Sequence, residues 1–309
     1  MTTTTVTQNV LIARLSRLPR PVLWVIAARL KTLGLSLAPV AAGSWLAAQT
    51  GTWHLDVMLA AMGAAAAIQV GTNLWNDAAD ASSGVDGPER LGPPRLTALG
   101  LLPATQVRRV AAASFALACL LGLYLTLIGG PAIIAIGLVS LALGFFYSMG
   151  PRPLSGTPFG ELLVIAFFGV VAVCGTVFLH GQVIGAQAVG LGVVTGLPAA
   201  AVLLINNHRD RATDARGGRR TLAILVGEAV SRRLYTLLLG LSLVGAAQIT
   251  ALCWSGLVAL APAAALAVVL SLAMQRTAVS TRLNRLIPGT AVFQMLLLLG
   301  IAGGSAICM

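Results

Sequence analysis

Nine stretches of about 20 mostly apolar residues, each long enough to cross a bilayer as a helix, follow one another along this chain. They fall at approximately 32–49, 56–76, 107–128, 131–148, 160–180, 186–206, 234–254, 257–274 and 288–307. Lipid offers no partners for backbone N–H and C=O groups, so such runs must satisfy their own hydrogen bonds as helices. The glycines and prolines inside several of them are better tolerated in membrane helices than in soluble ones. The expected fold is all-α: a polytopic membrane protein of about nine helices around a central cavity capped by cytoplasmic loops. Only 9% of residues are charged, against about a quarter in a soluble domain, so the chain cannot cover a water-facing surface. The net charge of +11 would otherwise suggest nucleic acid; in so apolar a chain it points to anionic lipid headgroups instead.

Charge placement tests this map independently. All 20 lysines and arginines lie before the first run or in the connections after the second, fourth, sixth and eighth, allowing for frayed ends. The connections after the first, third, fifth and seventh have none. By the positive-inside rule the N-terminus and even-numbered connections are cytoplasmic and the C-terminus is outside, as in a protein of the cell (plasma) membrane. Residues 1–20 read as a cytoplasmic arm, amphipathic or disordered and without a cleavable signal, and 21–309 as one transmembrane domain. Cys119, Cys174, Cys253 and Cys308 are widely spaced within apolar runs and read as small buried hydrophobes.

The nine acidic residues are concentrated as unevenly as the bases. Asp77, Asp80, Asp86 and Glu89 fall within residues 73–95, NLWNDAADASSGVDGPERLGPPR, and Asp210 and Asp214 within NNHRDRATDARGGRRT. Asn73, Asp77 and Asp80 recur at i, i+4 and i+7, one face of a helix end that Gln69 extends a turn deeper. Asn206, Asp210 and Asp214 recur at i, i+4 and i+8. Both clusters belong to the cytoplasmic face and lie four runs apart, so their helices point the same way. This arrangement suggests two related four-helix halves plus a ninth helix.

A lone loop aspartate is ordinarily a solvated charge. Here each cluster sits where helix meets loop with an Asn one turn deeper, and polar stripes entering a membrane helix usually face an internal cavity. Hard oxygen donors with little His or Cys nearby suit Mg2+, which takes one or two carboxylates, retained waters and phosphate oxygens. Arg90, Arg95, Arg209, Arg211, Arg216, Arg219 and Arg220 surround the acids. A diphosphate joins the two charge types, with Mg2+ bridging it to Asp and arginines binding its remaining oxygens in forked geometry. The chemistry that follows is diphosphate ionisation, in which metal and arginine stabilise the leaving group and an electrophilic fragment remains. For a chain within lipid, that fragment is naturally an isoprenoid tail.

On these motifs the sequence resembles the UbiA superfamily of intramembrane prenyltransferases, and within it the 1,4-dihydroxy-2-naphthoate polyprenyltransferases. The first Asp-rich motif reads Asn76-Asp77-x-x-Asp80 with Asp86 six residues on, and the second Asp210-x-x-x-Asp214. The naphthoate branch is matched by AARLKTLGLSLAPVAAG (27–43), GVDGPERLGPPR (84–95), GPRPLSGTPFGELLVIAFFGVVAVCGT (150–176), NNHRD leading to GRRTLAILVG (206–227) and LNRLIPGTA (283–291). The likeness covers nearly the whole chain after about residue 20. Leu30 stands where the branch has proline, and Arg219 where it often has lysine.

Chemistry and resemblance together make Asp77, Asp80, Asp86, Asp210 and Asp214 the expected metal-binding carboxylates. Asn73 and Asn76 orient them or complete the shell; Asp86 pairing with Arg90, and helix capping by Asn76, are the plain alternatives. Lys31, Arg152, Arg209, Arg219 and Arg220 are candidates for the diphosphate, with Arg29 weaker. Arg90 and Arg95 belong to a loop that closes over the site to exclude water. Tyr147 either faces the allylic cation or belongs to an interfacial aromatic belt. Glu161 is implied by the resemblance to act on the acceptor side, or else sits favourably at a helix start. Gln69 hydrogen-bonds the aromatic acceptor or another helix, and Asn206 is an acceptor-side candidate.

The resemblance implies Mg2+-dependent transfer of a polyprenyl group from its diphosphate to 1,4-dihydroxy-2-naphthoate with loss of CO2, giving demethylmenaquinone. The partners are those two substrates and the lipid bilayer, with no nucleic acid. The alternatives are another aromatic acceptor, or a cation-coupled transporter, which would carry its acids near mid-membrane on broken helices.

Overall fold

In a computed structural model, residues 10–83, 91–148, 154–181 and 183–308 are described. Among them the regular structure is helical, without strands. After a short helix at 10–15, the main elements are α1 (Arg20–Ala27), α2 (Gly34–Gln49), α3 (Leu55–Ser83), α4 (Ala104–Gly129), α5 (Pro131–Ser148), α6 (Gly160–Leu179), α7 (Ala186–Arg209), α8 (Arg211–Arg216), α9 (Leu222–Ile249), α10 (Trp254–Arg276) and α11 (Leu286–Cys308).

Six helices are long and apolar enough to cross a membrane: α3, α4, α6, α7, α10, and the last, counted as Thr281–Ala306. A seventh is a bent pair, Arg20–Ala27 with Leu30–Gln49, at 41°. The bend falls at Arg29, whose φ of 54° is left-handed. The two remaining expected runs, 131–148 and 234–254, coincide with α5 and α9. α9 starts 12 residues earlier than the apolar run suggested, and it breaks at Gly227 (φ 77°, ψ 179°), a conformation that suits glycine. Ser231 Oγ donates to Gly227 O at 2.7 Å across that break.

α7 is the central helix. Its most apolar window is 78% buried, the highest share among the six spans, and Leu191, Ala200, Ala201, Leu204 and Ile205 are fully enclosed. The principal core sets these against Val173 and Val177 of α6, Tyr235 and Leu239 of α9, Ala263 and Met274 of α10, and Phe293 and Leu297 of α11. Residues 165–171 of α6 are π-helical, and there α6 meets α7 backbone to backbone. A Cβ on Gly169 would lie 2.2 Å from Gly192 O, and one on Gly196 2.8 Å from Ile165 O. Small residues of this kind let membrane helices approach closely.

A second cluster holds the end of α3: Leu74 and Ala78 pack with Leu15, Leu23, Ala27, Leu96, Leu102 and Val107. A third, of Val40, Val57, Ala60, Leu125, Ile133 and Leu179, closes the opposite end. There His180 is buried, accepting at Nδ1 from His54 N–H (3.2 Å), with Nε2 3.1 Å from Ser44 Oγ. Cys119 and Cys174 are free thiols, whereas Cys253 is disulfide-bonded. This corrects the reading of Cys253 as a mere buried hydrophobe: wide spacing in sequence does not bar pairing once a bundle brings helix ends together.

Candidate active site

The second acid motif is made by a helix junction. α7 ends at Arg209, Asp210 (φ −92°, ψ 5°) is at once its C-cap and the N-cap of α8, and Asp214 follows one turn later. The amide of Asp210 bonds to Asn206 O and that of Asp214 to Asp210 O, both at 2.9 Å. The continuous i→i+4 ladder keeps Asn206, Asp210 and Asp214 in register across the change of helix. Asp214 is clasped by Arg219 (Nη1 to Oδ1, 3.1 Å), and the amide of Arg220 donates to Gly156 O at 2.7 Å, drawing the start of α6 to the motif. Burial raises the Asp214 carboxyl above the ordinary aspartate range, against the opposing pull of Arg219. The Arg219, Arg220 and Lys31 side chains are exposed.

Arg209 points the other way. Its side chain is 3% exposed. Nε and Nη2 donate to the two oxygens of Asp210 at 2.8 and 2.5 Å, and Nη1 donates to Asn206 Oδ1 (2.9 Å) and Asn284 Oδ1 (2.5 Å). With four of its five donors engaged inside the protein, this buried guanidinium holds Asp210. Asn206 likewise serves Arg209.

The first motif shows the same inward use of polar groups. Asp77 is 2% exposed and accepts from the backbone amides of Leu96 (Oδ2, 3.2 Å) and Thr97 (Oδ1, 3.3 Å), with Arg95 and Arg29 in electrostatic reach. Asp77 thereby fastens the segment after the motif, with both of its oxygens engaged by these amides. Asn73 Nδ2 donates to Ala28 O (3.0 Å), fixing the bend before α2, and Gln69 Oε1 accepts from Ser36 Oγ (3.0 Å). Of the two readings open for Gln69, the structure shows the helix-to-helix bond. Asn76 is half-buried at the same helix end. The side chains of Asp80 and Tyr147, and all of Asp86, Arg90 and Arg152, lie outside the described residues.

Glu161 is 5% exposed in the first turn of α6. Its Oε1 accepts from Asn207 Nδ2 at 2.9 Å, and Oε2 has no hydrogen-bond partner among the described residues. A buried acid with one free oxygen can receive a donor from a bound molecule, an opportunity that helix-start electrostatics alone would not create.

The two motifs are physically joined. Asn284, in the turn before α11, donates from Nδ2 to Leu91 O at 2.9 Å, across 193 residues, while its Oδ1 receives Arg209. Leu91 belongs to the segment that Asp77 anchors at Leu96 and Thr97. Sequence reasoning gave Asn284 no role, and it missed Asn207; a lone polar residue where a span enters the membrane was the available signal. It also missed Arg232, 8% exposed, which donates to Met274 O and Gln275 O at the end of α10 and to Glu228 (2.9 Å).

Asp210 and Asp214, with side chains 29% and 14% exposed, offer hard oxygen donors that a cation can reach, beside exposed arginines that suit an anion. Among the described residues no group of three His, Cys, Asp or Glu forms a metal cage. A helical membrane bundle carrying acids and arginines at the junctions of its helix ends has the makings of a lipid-diphosphate enzyme, and residues 36–299 match the UbiA prenyltransferase family. The chain belongs to that family and is a prenyltransferase of the membrane.

Among its relatives is the 1,4-dihydroxy-2-naphthoate octaprenyltransferase of Mycobacterium tuberculosis, 38% identical over 221 residues, which are 71% of this chain and 75% of the relative. The protein of that name from Escherichia coli is 34% identical over 72% of this chain and 74% of its own. A UbiA homolog from Archaeoglobus fulgidus, solved bound to GPP and Mg2+, shares the fold at a TM-score of 0.60 and 13% identity, covering 92% of this chain and 99% of that one.

Proposed function

We propose that this protein transfers a polyprenyl group from polyprenyl diphosphate to 1,4-dihydroxy-2-naphthoate, releasing diphosphate and CO2 and giving demethylmenaquinol, the hydroquinone form of demethylmenaquinone. The observation that carries the reading is the Asp210–Asp214 junction, reachable by a cation and tied through Asn284 to the segment after the first motif. The relatives named as naphthoate octaprenyltransferases support the acceptor, and the fold neighbour bound to GPP and Mg2+ supports the donor and the ion.

Asp210 and Asp214, with Asp80 and Asp86, would hold Mg2+, whose charge offsets that developing on the departing diphosphate oxygens. Arg219, Arg220 and Lys31 bind the remaining oxygens, with Arg90, Arg95 and Arg152 completing that wall. Asp77 and Arg209 shape the site from behind. Tyr147 lines the path of the allylic fragment and Glu161 receives an acceptor hydroxyl. The ring carbon bearing the carboxylate bonds to the prenyl C1 as the C–O bond to diphosphate breaks. The C–CO2 bond then returns its electron pair to the ring and CO2 leaves, so no ring proton need be removed.

Residues 21–309 act as one prenyltransferase domain after the 1–20 arm, with the N-terminus and acid-bearing ends cytoplasmic and the C-terminus outside. The disulfide-bonded Cys253, on the face without Lys or Arg, supports that orientation, because disulfides persist in oxidising compartments. The acids sit near helix ends rather than on broken mid-membrane helices, which favours the enzyme over a transporter.

Purified protein in nanodiscs should convert 1,4-dihydroxy-2-naphthoate, polyprenyl diphosphates of several lengths and Mg2+ into prenylated, decarboxylated product by mass spectrometry. Preferential prenylation of a benzoate or a tocopherol-type ring in the same mixture would replace the acceptor. Absence of any prenylation would end the proposal.

A further inference from the structure

We propose that Asn284 is a positioning residue for the second acid motif, acting through Arg209 to set the direction in which Asp210 presents its carboxylate. The inference rests on the reading of Asp210 as a cation-binding group. It starts from a peculiarity of neighbours: Arg209 and Asp210 are adjacent in sequence, yet form a two-point ion pair at 2.8 and 2.5 Å. Paired in this way, the plane of the guanidinium dictates the plane of the carboxylate. Whatever fixes Arg209 thereby aims Asp210.

Two side chains fix it. Asn206 lies on the same helix, so its bond to Nη1 (2.9 Å) travels with α7 and carries no information about the rest of the fold. Asn284 comes from the turn Thr281–Arg285 before α11, and its bond to Nη1 (2.5 Å) refers the guanidinium to another part of the bundle. The Asn284 amide is used at both ends, Oδ1 toward Arg209 and Nδ2 toward Leu91 O at 2.9 Å, so its orientation is unique: a flipped amide would place donor against donor at Arg209 and acceptor against acceptor at Leu91. Leu91 opens the segment whose Leu96 and Thr97 amides bind Asp77. The amide of Asn284 is thus a single reference point shared by the two acid-bearing ends.

The test measures Mn2+ binding by electron paramagnetic resonance on the full protein in detergent, beside prenylation kinetics and thermal unfolding. Asn284→Leu removes both bonds; Asn284→Asp keeps an acceptor for Arg209 but sets a carboxylate oxygen against Leu91 O. Supporting groups behind metal ligands typically contribute about 10- to 100-fold in affinity or activity. Asn284→Leu should weaken Mn2+ binding by about 10-fold or more within that range and leave the KM for the aromatic acceptor unchanged. Asn284→Asp, which keeps a partner for Arg209, should lose less Mn2+ affinity than Asn284→Leu, and Asn284→Leu added to Arg209→Gln should cost little beyond Arg209→Gln alone, as expected of residues acting in series.

Wild-type Mn2+ affinity in Asn284→Leu would overturn the proposal. So would equal losses in both Asn284 variants that track their melting temperatures, since that is what a purely structural residue gives. Weakened Mn2+ binding in Asn284→Leu, together with a wild type that prenylates nothing, would uphold the positioning role and discard the enzyme reading.

Discussion

Replacing Asp77 separates its two possible roles, because they respond in different measurements. The carboxylate is 2% exposed and accepts from Leu96 N–H at 3.2 Å and Thr97 N–H at 3.3 Å. Hydrogen bonds to charged groups contribute about 1.5–3 kcal/mol each, and an orphaned buried donor costs about 1–3 kcal/mol. Both bonds lie at the long end of the normal range, so the lower figures apply, and removing a buried charge returns part of its desolvation cost. The net expectation is a loss of about 2–3 kcal/mol for Asp77→Ala, and about half that for Asp77→Asn, whose oxygen can satisfy one amide while its NH2 opposes the other. Equilibrium unfolding in mixed micelles reads the stability, and Mn2+ titration of the same samples reads the metal site. Asp77→Asn should lose stability and retain most of its Mn2+ affinity, whereas Asp214→Asn, whose partner Arg219 is exposed, should do the reverse. An Asp77→Asn protein as stable as wild type but blind to Mn2+ would show that the side chain faces the ion, and the assignment as a loop anchor would be wrong.

Three further expectations follow from other contacts. Gly169→Ala forces a methyl to within 2.2 Å of Gly192 O and should destabilise the bundle by about 1–3 kcal/mol; an unchanged unfolding midpoint would mean that α6 and α7 can part at no cost. Arg232→Met strips the donors from Met274 O and Gln275 O and releases Glu228. It should speed hydrogen exchange at the end of α10 while leaving the acceptor KM unchanged, and unchanged exchange would refute the capping role. Burial holds the Asp214 carboxyl above the usual range, so its ionisation costs the fold stability as pH rises through the ordinary aspartate value, and the whole cost is present above the folded one. Because protons and cations compete for the ionised form, the acid limb of turnover should move to lower pH as Mg2+ is raised; a limb that ignores Mg2+ would remove Asp214 from the metal site.

What could be read in advance was whatever depends on periodicity and on solvent. The runs at 56–76, 160–180 and 186–206 declare themselves because lipid demands long uncharged helices. The Asp210–Asp214 pair was legible because its spacing survives the helix junction. The uses of individual polar side chains were not. Arg209 and Arg219 look alike in sequence, yet one is buried against Asp210 and the other lies on the surface; only the position of Asn284, 75 residues from Arg209, distinguishes them. Asp77 belongs to an acidic motif by spacing, but its partners are backbone amides 19 and 20 residues on, and backbone amides leave no trace in residue type. Within α9, Glu228 and Arg232 pair along one helix face, and a count of apolar residues registers them only as an interruption.

The wide turns at 165–171 have a consequence for how this helix can change over time. A π turn accommodates one residue more than an α turn, so the two parts of α6 are phased separately. The earlier part directs Glu161 toward Asn207, while the later part seats Val173 and Thr176 against Gly43. Excising one residue between them would restore ordinary winding and rotate one part by about 100° relative to the other. Whichever part kept its seat, the other would present the wrong face, so the extra residue lets the aim of a buried acid and the packing against α2 be tuned as two separate problems on one rod.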